Sequence, residues 1–100
     1  YSMASVAKPK EVKDVLSLAA LGNFMESRKK LLDLMLNYGL SGVDIIKQMQ
    51  KELWGLALDD RKKVELVDKC GEVEFRMTEG SDEFIQLESF LAFVVLVGKR

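Results

Sequence analysis

The chain has no histidine, one cysteine and one proline among its 100 residues. Without an imidazole there is no partner to activate a serine and no ring nitrogen for zinc, so the commonest nucleophilic and metal chemistries are excluded. A single cysteine rules out an internal disulfide framework. The longest apolar stretch, Phe90 to Val97, falls well short of the ~20 residues that a membrane-spanning helix needs, and no secretory signal pattern is present. Neither sign of charge dominates: 15 basic and 16 acidic side chains leave a net charge of −1. That balance argues against strong nonspecific attraction to phosphate backbones. The glycine-rich loop ending in Lys and Ser/Thr is also missing, so this chain by itself is not expected to bind or hydrolyse nucleotide.

The chain is 48% hydrophobic and 31% charged, the balance of a folded helical domain rather than a solvated tail. Its length suits one domain with one core. It opens on Tyr1 rather than methionine, so it is expected to be part of a longer protein, with residues 1–8 as a connection from upstream and 9–100 as the domain.

Helical periodicity and stop signals divide residues 9–100 into five helices, an all-α five-helix bundle. Pro9 suits a first helical turn, Val12, Val15, Leu16 and Ala19 follow at helical spacing, and Gly22 closes the helix. Asn23 caps the second, with Glu26 completing a capping box; Phe24, Leu31, Leu34, Met35 and Tyr38 are its expected buried stripe, and Gly39 stops it. Ser41 caps the third, with Ile45, Ile46, Met49 and Leu53 inward. After the loop Gly55–Asp60, Asp59 or Asp60 caps a fourth helix running to about Thr78; Gly80 breaks the chain, Ser81 caps the fifth and Gly98 ends it.

The fourth helix has two apolar faces side by side, Val64, Val67, Gly71, Phe75 and Thr78 beside Leu66, Cys70, Val73 and Met77. This reads as a central helix packed on two sides. Gly71 costs ~1 kcal/mol of helix propensity relative to alanine; a close helix crossing would explain it, and a leucine there would then overpack. In the fifth helix, Phe84, Leu87, Leu91, Val94 and Val95 supply a core face. A second stripe of Gln86, Phe90, Phe93 and Val97 lies more than a quarter-turn round, which points either to central burial or to a seam against another subunit.

No residues stand out as catalytic, metal-binding or cofactor-binding. Cys70 sits on an apolar face as a buried thiol. Glu72 is explained by pairing with Arg76 at i,i+4, and Glu65 by pairing with Lys69 in the same way. In the basic run Arg28-Lys29-Lys30, the lysines have helical partners in Asp33 and Glu26 and read as a solvated face. Arg28 projects from the apolar side, so a structural anchor to a carboxylate of another helix is expected. Trp54 either folds over the following loop or stands at a partner surface.

Several segments resemble, in order, the C-terminal collar domain of the archaeal replication factor C small subunit, a sliding-clamp loader. They are Ala7-Lys8-Pro9, Gly22-Asn23-Phe24 leading to Arg28, Tyr38-Gly39-Leu40-Ser41-Gly42-Val43-Asp44-Ile45, and the run from Glu72 to Glu88 around Phe75-Arg76 and Ile85-Gln86-Leu87-Glu88. The departures are Cys70 and Thr78, where that family usually has larger aliphatic residues, and Ser27 in place of a common alanine. The resemblance implies a full subunit with an AAA+ ATPase domain, a lid domain and this helical collar, the collars of five subunits packing into a ring. It implies ATP and magnesium for the full subunit, with their binding residues upstream of Tyr1. It further implies other small and large loader subunits as partners through the collar, the sliding clamp and primer–template DNA as partners through upstream domains, no membrane, and a cytoplasmic location. The alternative is a nucleic-acid-binding module in which the Gly39–Gly42 turn makes a helix-turn-helix; near-neutral charge and the mixed third helix (Lys47 and Lys51 beside Glu52) count against it.

Overall fold

The structure, a computed structural model, describes residues 8–100. The expected connection over residues 1–8 therefore lies outside the described residues, apart from Lys8 at the threshold of the first helix. Five α-helices follow: α1 Pro9–Ala20, α2 Phe24–Asn37, α3 Gly42–Glu52, α4 Asp60–Thr78 and α5 Glu83–Gly98, with a short 3-10 turn at Leu53–Gly55. The all-α bundle is as the periodicity predicts.

Local chemistry sets the boundaries. Asn23, Ser41 and Asp59 accept backbone N–H bonds from Glu26, Asp44 and Lys62, as N-cap side chains do. At α5 the cap is Asp82, which accepts from the Ile85 N–H at 2.8 Å, rather than Ser81. Ser81 instead completes the end of α4. Its N–H reaches the Arg76 carbonyl and that of Gly80 the Met77 carbonyl, a Schellman closure that requires the positive φ of Gly80.

The core gathers Val12, Val15, Leu16 and Ala19 of α1, Leu31 and Leu34 of α2, and Ile45, Ile46 and Met49 of α3. Leu66, Cys70, Val73 and Met77 of α4 and the inner face of α5 complete it. α1 and α5 are central; α2 covers one side of them, and α3 with α4 the other. Among the described residues one polar side chain is wholly buried in this core. Ser27 donates its hydroxyl to the Val15 carbonyl at 2.7 Å, fastening α2 to α1.

Two close approaches explain two glycines. A Cβ on Gly98 would stand 2.8 Å from the Ala20 carbonyl oxygen, where the ends of α1 and α5 meet. A Cβ on Gly42 would stand 2.6 Å from that of Glu83, whose carboxylate accepts the Gly42 N–H at 2.8 Å. Gly71 is different: a Cβ there would meet nothing within 4 Å. The expected close crossing at Gly71 is absent within the domain, because α4 buries one face only.

Tyr38 also departs from the reading. It is nearly half exposed, with Lys8 lying over its ring, since α2 has already ended at Asn37 and its last turn extends past the core.

Candidate interaction surface

The anchors come first, because they fix the helices that carry the surface. Arg28 reaches from α2 to the carboxylate of Glu88 on α5, and its guanidinium lies 5.3 Å from the centre of the Phe84 ring. This is the inter-helix carboxylate anchor expected of Arg28, with its partner now identified. On α4, Arg76 pairs with Glu72 at 2.8 Å, as the spacing predicts. Glu72 also accepts from Lys69 at 2.9 Å; that hydrogen bond first, then the Arg76 charge, holds its carboxyl below the usual range. Lys69 is thereby drawn away from Glu65, which pairs instead with Arg100 at 2.7 Å. The expected Glu65–Lys69 pair gives way to contacts across the α4–α5 junction, where Lys69 also covers the Phe93 ring. Lys29 and Lys30 make no ion pair with Asp33 or Glu26; Asp33 accepts from Asn37 instead.

The stripe Gln86, Phe90, Phe93 and Val97 is not an open seam. Phe90 and Val97 have no exposed surface, and Gln86 and Phe93 are half-buried, Phe93 beneath Lys69 of α4. The reason is rotational: the inner arc of α5 is wide enough to take this stripe as well as Leu87, Leu91, Val94 and Val95. The Gln86 side-chain oxygen is shut away from solvent without a hydrogen-bond partner. The outward residues of α5 are Ile85, Ser89, Ala92 and Leu96, with Ile85 and Leu96 exposed.

α4 shows the same inversion. Leu66, Cys70, Val73 and Met77 are buried, whereas Val64 and Phe75 are 60% and 61% exposed. Reading α4 as packed on two sides is therefore corrected: its second apolar face is surface. On α2, Met25 and Leu36 stand out at 66% and 72% exposure, with Lys29 exposed and Leu32 half-buried between them. The sequence reasoning missed this α2 strip, although its i, i+4, i+7, i+11 spacing was visible. Trp54 is about half exposed, and its carbonyl accepts from Lys63 at 2.8 Å.

Burial pushes the Cys70 thiol from 9.0 up to about 12, the opposite of an activated nucleophile. Among the described residues no group of three His, Cys, Asp or Glu side chains is arranged to hold a metal ion, and no helix is long and apolar enough to cross a membrane. The Gly39–Gly42 turn does join α2 to α3, but Glu83 of α5 occupies the N-terminus of α3. A recognition helix presents those first residues to base edges, so this one is poorly placed for it.

What the geometry offers is a finished core that leaves pairs of exposed apolar side chains on three helices, Met25 and Leu36 on α2, Val64 and Phe75 on α4, and Ile85 and Leu96 on α5. Comparison with known proteins gives that surface a context. Residues 7–93 match the family model of the replication factor C C-terminal domain. The replication factor C small subunit of Sulfolobus acidocaldarius is 52% identical over 102 residues, covering 100% of this chain and 31% of that protein. That of Methanocella arvoryzae is 50% identical over 98 residues, covering 98% of this chain and 30% of the relative. In Pyrococcus furiosus the identity is 45% over 100 residues, covering 100% of this chain and 12% of the relative. The chain thus spans a third or less of the curated relatives it matches.

Proposed function

Because the chain belongs to the replication factor C C-terminal domain family, we propose that it is the collar of a clamp-loader small subunit, a domain that joins subunits rather than performing chemistry. The observation that carries this reading is the pairing of a complete core with large apolar side chains left exposed on the outer faces of α2, α4 and α5. Apolar surface is ordinary when scattered singly and informative when aligned, because aligned side chains can be removed from water together. The partners are other subunits of the same loader, met through this domain. ATP and magnesium, the sliding clamp and primer–template DNA belong to parts of the full-length protein outside this chain.

Removal of residues 9–100 from the full-length subunit tests the reading. Sedimentation equilibrium should show lost or strongly weakened assembly, while Mg-ATP binding by the remaining ATPase region persists in calorimetry. A truncated subunit that assembles as tightly as the intact one overturns it.

A further inference from the structure

We infer that α2 of one copy packs in parallel against α4 of the next. The inference rests on the oligomerisation reading and adds which faces meet and in which direction.

The two faces are matched in spacing and chemistry. The α2 strip is Met25, Lys29, Leu32 and Leu36; the α4 strip is Val64, Asp68, Gly71 and Phe75. Each has an exposed apolar residue at both ends, eleven positions apart. Aligned in parallel, Lys29 meets Asp68, and neither makes an ion pair among the described residues. In the same register Leu32 meets Gly71, a larger side chain opposite a position with no side chain. Aligned antiparallel, Leu32 would face Asp68 and the charges would miss each other. The pairing also accounts for Gly71, which weakens helix propensity in mid-helix yet accommodates nothing inside its own domain.

The fold presents these faces in the required direction. At the end of α5, Gly22 just before α2 lies beside Lys99, and Lys62 and Glu65 in the opening turns of α4 bond to Arg100, each at 2.7 Å. Further along, Arg28 reaches back to Glu88, and Lys69 to Phe93. Both helices therefore run antiparallel to α5 and parallel to each other. α5 lies between them, and α2 and α4 share no substantial packing. Two complementary but different faces on separate flanks make a head-to-tail contact.

Charge reversal in the full-length subunit, read by sedimentation equilibrium across concentrations, tests this. Lys29→Glu alone and Asp68→Lys alone should each weaken association by roughly ten-fold, because like charges then face each other. The double variant should recover most of the loss. In a Cys70→Ala background, Leu32→Cys with Gly71→Cys should give cross-links between copies, a second readout that does not depend on the charge variants keeping their fold. If the unaltered subunit assembles but the single reversals leave association unchanged or no cross-link forms, these faces are wrong while the collar reading stands. If the unaltered subunit stays monomeric at every concentration, the partner is not a second copy and the inference falls with the self-assembly it needs.

Discussion

Cys70 and Gly71 are neighbours on α4 with opposite surroundings. The thiol is buried and its pKa is raised from 9.0 to about 12, since ionising it would place a charge in the apolar core. A raised pKa means the folded state keeps a proton that the unfolded chain loses. The contribution to stability is therefore complete below pH ~9 and declines as pH rises towards 12, by up to ~1.4 kcal/mol per pH unit. Urea melts at pH 8 and pH 10 should show the unaltered protein losing about 1 kcal/mol more than Cys70→Ala between those two values. Gly71 faces solvent, so Gly71→Ala should stabilise the monomeric domain by ~0.5–1 kcal/mol through helix propensity. Gly98→Ala should act in the reverse sense. Its methyl group meets the Ala20 backbone oxygen, and such overpacking costs ~1–3 kcal/mol in the same melts.

At the scale of elements, α3 and α5 share the apolar core and are also joined by one side-chain hydrogen bond. Glu83 sits in the first turn of α5 and accepts the Gly42 N–H that opens α3, across 41 residues of sequence. Glu83→Ala leaves that part-buried donor without its partner and should cost ~1–2 kcal/mol, with hydrogen exchange faster in the first turn of α3 than elsewhere. Glu83→Gln, which keeps an acceptor, should lose less. Such a contact is not legible in the sequence, because nothing in the spacing of Gly42 and Glu83 tells which turns will meet. The helices themselves were legible: their caps are local, so Asn23, Ser41 and Asp59 announce them without knowledge of the fold. Arg28 announced that it needed a carboxylate, but only the packing of α2 on α5 selects Glu88. Helical periodicity also failed to say which apolar face each helix turns inward. On α4 the set with Val64 and Phe75 and the set with Leu66 and Val73 are equally regular, and own-chain core and partner surface share one period.

For the whole molecule, that ambiguity becomes a measurable division between two phenylalanines. Phe90 is fully buried at the centre of a bundle about 41 × 25 × 22 Å across, among the largest side chains that hold the helices together. Phe75 lies on the outside of α4 with more than half its surface in water. Truncating the first removes apolar burial and leaves a cavity, so Phe90→Ala should cost ~3–5 kcal/mol and bring the domain close to unfolding at room temperature. Truncating the second removes little burial within the monomer, so Phe75→Ala should leave the urea midpoint of the domain within ~0.5 kcal/mol of the unaltered value. Its effect should appear in assembly instead, where a phenylalanine withdrawn from water contributes ~1.5–3 kcal/mol to each contact. Circular dichroism with sedimentation on both variants separates the two roles. A Phe75→Ala protein that loses stability but assembles normally would place the outer face of α4 in the domain's own core and remove it from the ring.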